Sequence, residues 1–100
     1  MRTLLMASFP VETANEAIKN GALQQTVQSL METLKPEAAY FFPDAHGRRS
    51  ALFVFDMEGS WQLPATLEPL FQNVGAAVHV TPAMNAEDLQ RGMKEAGITG

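Results

Sequence analysis

One hundred residues, 46% hydrophobic and 18% charged, indicate a single folded domain over residues 1–100 and exclude disorder and low-complexity repeats. The formal net charge is −4, and the basic residues are scattered apart from Arg48-Arg49, which excludes the positive surface that nucleic acid requires. The absence of Cys excludes a disulfide framework, a thiolate zinc site and a Cys nucleophile.

The first predicted element is a strand, and two helices follow it. Residues 3–9 are short, apolar and ended by a proline, as in a buried strand. Residues 13–16, Thr-Ala-Asn-Glu, match a capping box, which predicts that the first helix starts there. The apolar residues before and after Asn20-Gly21 fall on opposite sides of a continuous helix. We therefore expect a break at Asn20-Gly21, between a helix that ends at about Lys19 and a main helix over residues 22–34.

A β-hairpin is predicted next. Lys35-Pro36 ends the main helix because the residue before a proline is pushed out of the helical region. Residues 38–42 and 50–56 are rich in aromatic and β-branched side chains, which is typical of strands. The turn formers of residues 43–47 lie between them. The two strands are therefore expected to pair antiparallel.

Two helices and a strand complete the chain. Gly59-Ser60 predicts a helix that is capped by Ser60, runs to about Asn73 and is kinked by Pro69. Residues 76–81 predict the fourth strand. Residues 85–88, Asn-Ala-Glu-Asp, predict the start of a terminal helix. The apolar side of that helix is formed by Leu89, Met93 and Ala96.

This order of elements predicts an α+β, ferredoxin-like fold, βαββαβ, with an additional C-terminal helix. Right-handed crossovers give a four-stranded antiparallel sheet in the order 4-1-3-2, with the main helices on one face. Every strand has apolar residues at both odd and even positions, as strands do in sheets that are covered on both sides. We therefore expect a second copy of the chain to cover the helix-free face, which makes the protein a homodimer.

With these two-sided strands, the chain resembles the dimeric α+β barrel superfamily, in which two ferredoxin-like protomers close their sheets around a shared cavity. Three segments look like parts of a family of short uncharacterised bacterial proteins: Lys-Pro-Glu-Ala-Ala-Tyr-Phe at 35–41, Pro64-Ala65 with Glu68-Pro69, and Thr-Pro-Ala-Met-Asn-Ala-Glu-Asp-Leu at 81–89. That family implies no activity. The superfamily includes cofactor-free oxygenases, haem-degrading enzymes, lactone isomerases and ligand-binding regulators, so the resemblance implies a cavity more firmly than a chemistry. No cofactor is expected.

The side chains of the four predicted strands alternate between two faces of the sheet, and we call each alternating set a parity. One parity combines apolar side chains with a few polar ones, as the wall of a ligand site does. We expect this parity to line the space between the two sheets, and the other, almost wholly apolar, to pack against the helices. The polar members of the first parity are Ser8, Tyr40, Asp56 and His79. The expected ligand-binding residues are Tyr40, His79, Met6, Phe42, Leu52 and Val54, and Ala77 and Thr81 share their parity.

His79 and Asp56 are the candidate catalytic residues. An imidazole titrates near neutral pH and can serve as a general base, although a lone strand histidine is more often a structural or interface residue. Asp56 is placed to orient an imidazole or to accept amide hydrogen bonds in the turn before Gly59. The chain is therefore interpreted as a homodimer that binds a small apolar or aromatic molecule, or alternatively as a cofactor-free oxygenase or isomerase. A third interpretation makes the helix-free face a docking site for a different protein.

The hairpin tip and Trp61 each have two possible roles. The hairpin tip, residues 46–49 (His-Gly-Arg-Arg), could grip an anion, although exposed turns commonly look like this. Trp61 either gates a cavity mouth or anchors a helix start. No metal site is expected, because His46 and His79 share no ligand spacing.

Neither a membrane span nor a signal peptide is predicted. The longest strongly apolar run, residues 51–55, is far shorter than the roughly 20 residues that cross a membrane. The apolar run at the start of the chain is too short for a signal-peptide core. We therefore expect a cytoplasmic protein with no membrane partner.

Overall fold

The structure, a computed structural model, describes residues 1–98 and contains the predicted succession of strands and helices. The strand boundaries differ from the predicted ones by at most one residue, and the predicted hairpin is confirmed. The elements are β1 (Arg2–Ser8), α1 (Val11–Lys19), α2 (Ala22–Leu34), β2 (Ala38–Pro43), β3 (Arg49–Asp56), a 3₁₀ turn (Ser60–Gln62), α3 (Leu63–Val74), β4 (Ala77–Pro82) and α4 (Ala86–Glu95).

The strands form one antiparallel four-stranded sheet in the order β2-β3-β1-β4. Seen from its other edge, this is the predicted order 4-1-3-2. The pair α1 and α2 connects β1 to β2, and α3 connects β3 to β4. The chain therefore has a ferredoxin-like α+β fold, with α4 as the additional C-terminal helix.

The predicted break between α1 and α2 is confirmed. Gly21 has φ 83°, in the left-handed region, where a side chain would be strained. The Asn20 side chain accepts a hydrogen bond from the backbone N–H of Ala22 at 2.9 Å. The predicted end of α2 is also confirmed, and Lys35 leaves the helix in a left-handed conformation, with φ 45°.

The predicted start of α1 is wrong. The helix begins at Val11, with Pro10 in the N-cap position and no side-chain cap, so Thr13 lies inside the first turns. The φ of Pro10 is −58°, and its ring therefore holds the backbone ready to enter a helix without help from a hydroxyl group. The capping box at residues 13–16 is a sequence match that the structure does not use.

The predicted start of α3 is also wrong. Ser60 opens a 3₁₀ turn and makes no side-chain cap, and the α-helix starts three residues later, at Leu63. Pro64 lies in the first turn, where its missing N–H would have no partner within the helix in any case. The helix then continues through Pro69 to Val74.

The hydrophobic core lies on one face of the sheet only. Residues paired across antiparallel strands point to the same face, and Leu5, which pairs with Phe53 and Val80, is completely buried. Side chains of α1, α2 and α3 complete this core, whereas α4 contributes no buried residue. The core consists of Leu5, Ala7, Phe9, Ala14, Ala17, Leu30, Ala51, Phe53, Phe55, Met57, Leu70, Val74 and Ala76. Within residues 1–98, no helix is both long enough and apolar enough to cross a membrane.

Candidate functional site

The face of the sheet opposite α1, α2 and α3, which we call the open face, carries the side chains of the parity expected to line the site. A row of four directly paired residues crosses all the strands, and we call it the central row. It runs Tyr40, Leu52, Met6, His79. Tyr40 and His79 lie on the two edge strands, about 14 Å apart at ordinary strand spacing. The central row therefore has an apolar middle and a polar group at each end.

Of the rows on either side of the central row, one is mostly apolar and the other contains two serines. Along β1, Leu5 and Ala7 are fully buried against the helices, whereas Met6 between them is 40% exposed on the open face. Tyr40 is 63% exposed, and the His79 side chain is exposed as well. The flanking rows are Ala38, Val54, Leu4, Thr81 and Phe42, Ser50, Ser8, Ala77.

At one end of the open face, the carboxylate of Asp44, in the hairpin turn, accepts hydrogen bonds from two serine hydroxyl groups. Its Oδ2 accepts hydrogen bonds from the Oγ atoms of Ser8 at 3.1 Å and Ser50 at 3.3 Å. Its Oδ1 accepts from the backbone N–H groups of His46 at 2.8 Å and Arg48 at 3.0 Å. These hydrogen bonds, that of the Arg48 amide above all, hold the pKa of Asp44 below its usual value. Ser8 therefore supports the hairpin rather than offering a free hydroxyl group.

Asp56 lies at the opposite end of the open face, far from His79. Its carboxylate accepts a hydrogen bond from the terminal ammonium group of Met1. Asp56 pairs with Arg2 and His79 pairs with Met6, so the two side chains are offset by about 13 Å along the strands. The two candidate catalytic residues therefore share a face but do not contact each other within one protomer.

Arg2 fixes the start of α4 at this end of the open face, a role that the sequence did not indicate. Its Nε donates to Glu37 Oε1 at 2.8 Å, and its Nη1 donates to Asp88 Oδ2 at 3.4 Å. The hydrogen bond to Glu37 raises the pKa of Arg2. At the predicted start of α4, Asp88 and Asn85 also form a capping box, with each side chain accepting from the backbone N–H of the other. The first turn of α4 is therefore held beside β1.

Beyond its first turn, α4 leaves its apolar side uncovered. Leu89 is 49% exposed and Met93 is 41% exposed. None of the residues of α4 is buried. The protomer therefore presents two apolar surfaces to solvent, the open face and one side of α4.

The other predicted features are placed as follows. At the hairpin tip, His46, Gly47 and Arg48 are exposed. Trp61 lies with its ring over Gly59 and is 71% exposed, and it also lines a cavity beside Phe55 and Ala65, so both of its alternatives stay predictions. Within residues 1–98, no group of three or more His, Cys, Asp or Glu residues is arranged to hold a metal ion.

No protein-family model and no curated protein matches this sequence. Among solved structures, formyltetrahydrofolate deformylase from Pseudomonas putida KT2440 is similar over 83% of this chain and 29% of its own, with a TM-score of 0.52 and 16% identity. The likeness is one of fold alone. The regulatory subunit of aspartate kinase from Thermus flavus is similar over 82% of this chain and 52% of its own, with a TM-score of 0.45 and 12% identity. The chain thus spans about a third and about half of these two proteins.

Proposed function

We propose that this chain forms a homodimer through its open face and binds a small apolar or aromatic molecule between the two sheets. The central row carries this proposal, because Leu52 and Met6 lie on the two middle strands and yet remain accessible to solvent. A sheet that faces water on one side ordinarily has polar side chains there. Covering these residues removes apolar surface from water, which contributes about 25 cal/mol per Å². A second copy supplies a matching surface without any further component.

The apolar side of α4 takes part in the same interface. Four strands of about seven residues have a plan area of about 440 Å², whereas a standard interface buries about 800 Å² on each partner. The open face alone is therefore small for a stable dimer. Because Arg2 holds the first turn of α4 at the end of the open face, the exposed Leu89 and Met93 extend the interface onto the second copy.

The ligand lies across the central row in this arrangement. Two sheets pack about 10 Å apart when large side chains fill the space between them. Small residues such as Ala38 and Ala77 at the two edges leave room for a bound molecule. Leu52 and Met6 provide the apolar contact, with Phe42 and Val54 beside them, and the Tyr40 hydroxyl and the His79 imidazole provide hydrogen bonds at the two ends.

Sedimentation of the purified chain tests the dimer. We expect a particle of twice the protomer mass of 10.9 kDa at micromolar concentration. Leu52→Asp places a charge in the middle of the interface and should give a folded monomer with an unchanged circular dichroism spectrum. Phe71→Asp is the matched control, since Phe71 is 42% exposed on α3, and it should leave the dimer intact. A wild-type monomer, or a Leu52→Asp dimer, would refute the proposed interface.

Native mass spectrometry of freshly purified protein tests the ligand separately. We expect the dimer to carry an additional non-protein mass that is lost on denaturation. A clean mass of the polypeptide alone across several preparations would refute a tightly held ligand and leave the dimer standing.

A second candidate function is a cofactor-free oxygenase or isomerase, in which His79 removes a proton from the substrate. The observation in its favour is an exposed imidazole at one end of a row with an apolar middle, since an imidazole within hydrogen-bond reach of an acidic proton can act as a general base. Oxygen uptake with a panel of phenols and quinols provides the test. His79→Ala should abolish any turnover found, and His46→Ala should retain it; equal turnover by wild type and His79→Ala excludes this role.

A further inference from the structure

A cavity of about 410 Å³ lies on the helix side of the sheet, beside the β2–β3 hairpin. Leu23 and Val27 of α2 form one wall, and Phe41 of β2 and Phe9 form another. The cavity exists because β2 is an edge strand that the helices cover only in part. Phe41 accordingly remains 58% exposed, although it points to the same side as the buried core.

The aromatic wall of this cavity is held in place by the core. The ring of Phe41 packs edge to face on Phe53, with the ring centroids 6.0 Å apart and the planes at 84°. Phe53 is 1% exposed, so it gives Phe41 a fixed support. One side of the Phe41 ring therefore stays open to the cavity as a stable apolar surface.

Arg49 adds a cation to the rim of the same cavity. Its Nη1 donates to the side-chain oxygen of Asn15 at 2.9 Å. None of the ion pairs formed within residues 1–98 involves Arg49. The carboxylate of Asp44, in the same hairpin, is engaged instead by Ser8 and Ser50, whose side chains belong to the open face. A guanidinium group has five N–H donors, so Arg49 keeps donors for a further acceptor.

We propose that this cavity binds an organic carboxylate, a molecule with an aromatic or aliphatic body and one carboxylate group. The body packs against Phe41, Leu23 and Val27, and the carboxylate accepts hydrogen bonds from the guanidinium group of Arg49. Asn15 orients the guanidinium group and, being neutral, leaves its charge for the ligand. The net charge of the chain is −4, so the local cation is what admits an anion here.

This carboxylate site is distinct from the proposed ligand site on the open face. The walls formed by Phe41, Leu23 and Val27 lie on the helix side of the sheet, although Phe42 and Ser50, which the strand register assigns to the open face, also contribute to the lining of the cavity. The contact with Arg49 does not require the second copy, so a failure of the dimer leaves the carboxylate proposal standing, and the reverse also holds. The two are also distinguishable in an experiment that resolves individual residues, because Leu23 and Val27 report on one side and Met6 and His79 on the other.

A titration of the full chain with 1-naphthylacetate, followed by amide and methyl NMR signals, provides the test. We expect saturable shifts of the signals of Leu23, Val27 and Phe41. The neutral probe 2-(1-naphthyl)ethanol has a similar body without the charge, and we expect it to bind at least about 10-fold more weakly, as for the loss of a charge-assisted hydrogen bond.

Variants of the two neighbouring arginines separate a specific contact from general charge. Arg49→Met keeps an unbranched side chain without the guanidinium group and should weaken binding of the acid to the level of the alcohol. Arg48→Met is the matched control with the same change in net charge, and it should bind the acid as the wild type does. Arg49→Lys should fall between them, since an ammonium group cannot hold a carboxylate bidentately.

The proposal would be overturned by the absence of saturable binding of the acid, by equal affinities for the acid and the alcohol, or by equal losses in Arg48→Met and Arg49→Met. Shifts confined to the signals of Met6 and His79 would place the probe on the open face and would equally refute a site at Arg49.

Discussion

At the scale of single residues, Asp44 links the hairpin turn to β1, because its carboxylate accepts from two hydroxyl groups and two backbone N–H groups. The pKa of Asp44 is lowered in the folded protein. Its contribution to stability is therefore complete above the unfolded-state pKa of about 3.9 and is lost as the pH falls through the lower, folded-state value. Protonation of Asp44 is therefore expected to contribute to unfolding at acidic pH.

We expect Asp44→Asn to lower the urea midpoint at neutral pH, because an amide NH₂ group replaces one of the accepting oxygens. The difference from the wild type should shrink as the pH falls below about 4. Urea unfolding between neutral and acidic pH measures both effects. Glu58→Gln is the control, because Glu58 is an exposed carboxylate beyond the other end of β3, and it should have little effect. A deficit of Asp44→Asn that stays constant with pH would contradict this account.

The residues of the open face could be predicted from the sequence because strand side chains alternate with a period of two. Leu52 and Met6, for example, share a face once their strands are placed, and no bulge intervenes in the pairing. The partners of single polar groups could not be predicted. Asp56 meets the Met1 ammonium group, and Arg49 meets Asn15. Such contacts join residues that are far apart in the chain, and they depend on how the helices and strands pack against one another.

At the scale of elements, the sequence predicted the strands and the starts of α2 and α4 well, but not the starts of α1 and α3. The break at Gly21 was predictable because the apolar side changes direction between residues 11–19 and 22–34. A residue in the left-handed conformation, as Gly21 is, ends one helix and allows this change. The start of α1 was not, because Pro10 and the capping match at Thr13 both signal a helix start, and packing decides between them. Nothing in the sequence of α4 indicated that its apolar side would remain exposed, since the periodicity of a buried and an unpartnered helix is the same.

Because α4 is exposed, we expect removal of its N-cap to unfold α4 locally and to leave the rest of the protein folded. A helix of this length is marginal alone in water, and α4 adds no buried residue, so the capping box and the Arg2–Asp88 contact hold it. In the Leu52→Asp background, which we expect to be monomeric, Asn85→Ala should destabilise α4 by about 0.5–2 kcal/mol. Amide exchange within α4 should then accelerate, while the global free energy of unfolding changes by less than about 0.5 kcal/mol.

Ser60→Ala is the matched control for this prediction, because Ser60 makes no side-chain cap in front of α3. It should leave amide exchange in α3 unchanged. A fall in the global free energy of unfolding on Asn85→Ala, with no added exchange in α4, would show that α4 is part of the core unit after all.

At the scale of the whole molecule, one sheet serves two surfaces with different physical roles. Its helix side forms the core of the protomer, and its open face is apolar without a cover from residues 1–98. Leu4 and Leu5 are adjacent in β1 and identical in chemistry, and they point to opposite faces. Leu5 is completely buried, whereas Leu4 is partly exposed. Truncating each of them therefore separates the stability of the protomer from that of the assembly.

We expect Leu5→Ala to lower the free energy of unfolding by about 2–5 kcal/mol at every protein concentration, since the cavity lies within the protomer. Leu4→Ala removes contact area from the proposed dimer, so its deficit should be large in concentrated solution and should shrink on dilution, when we expect wild type and variant both to be monomeric. Thermal melts of both variants and the wild type at two widely separated concentrations measure this. Because the two substitutions delete the same atoms, a deficit of Leu4→Ala that is independent of concentration would mean that the open face acts within the protomer alone.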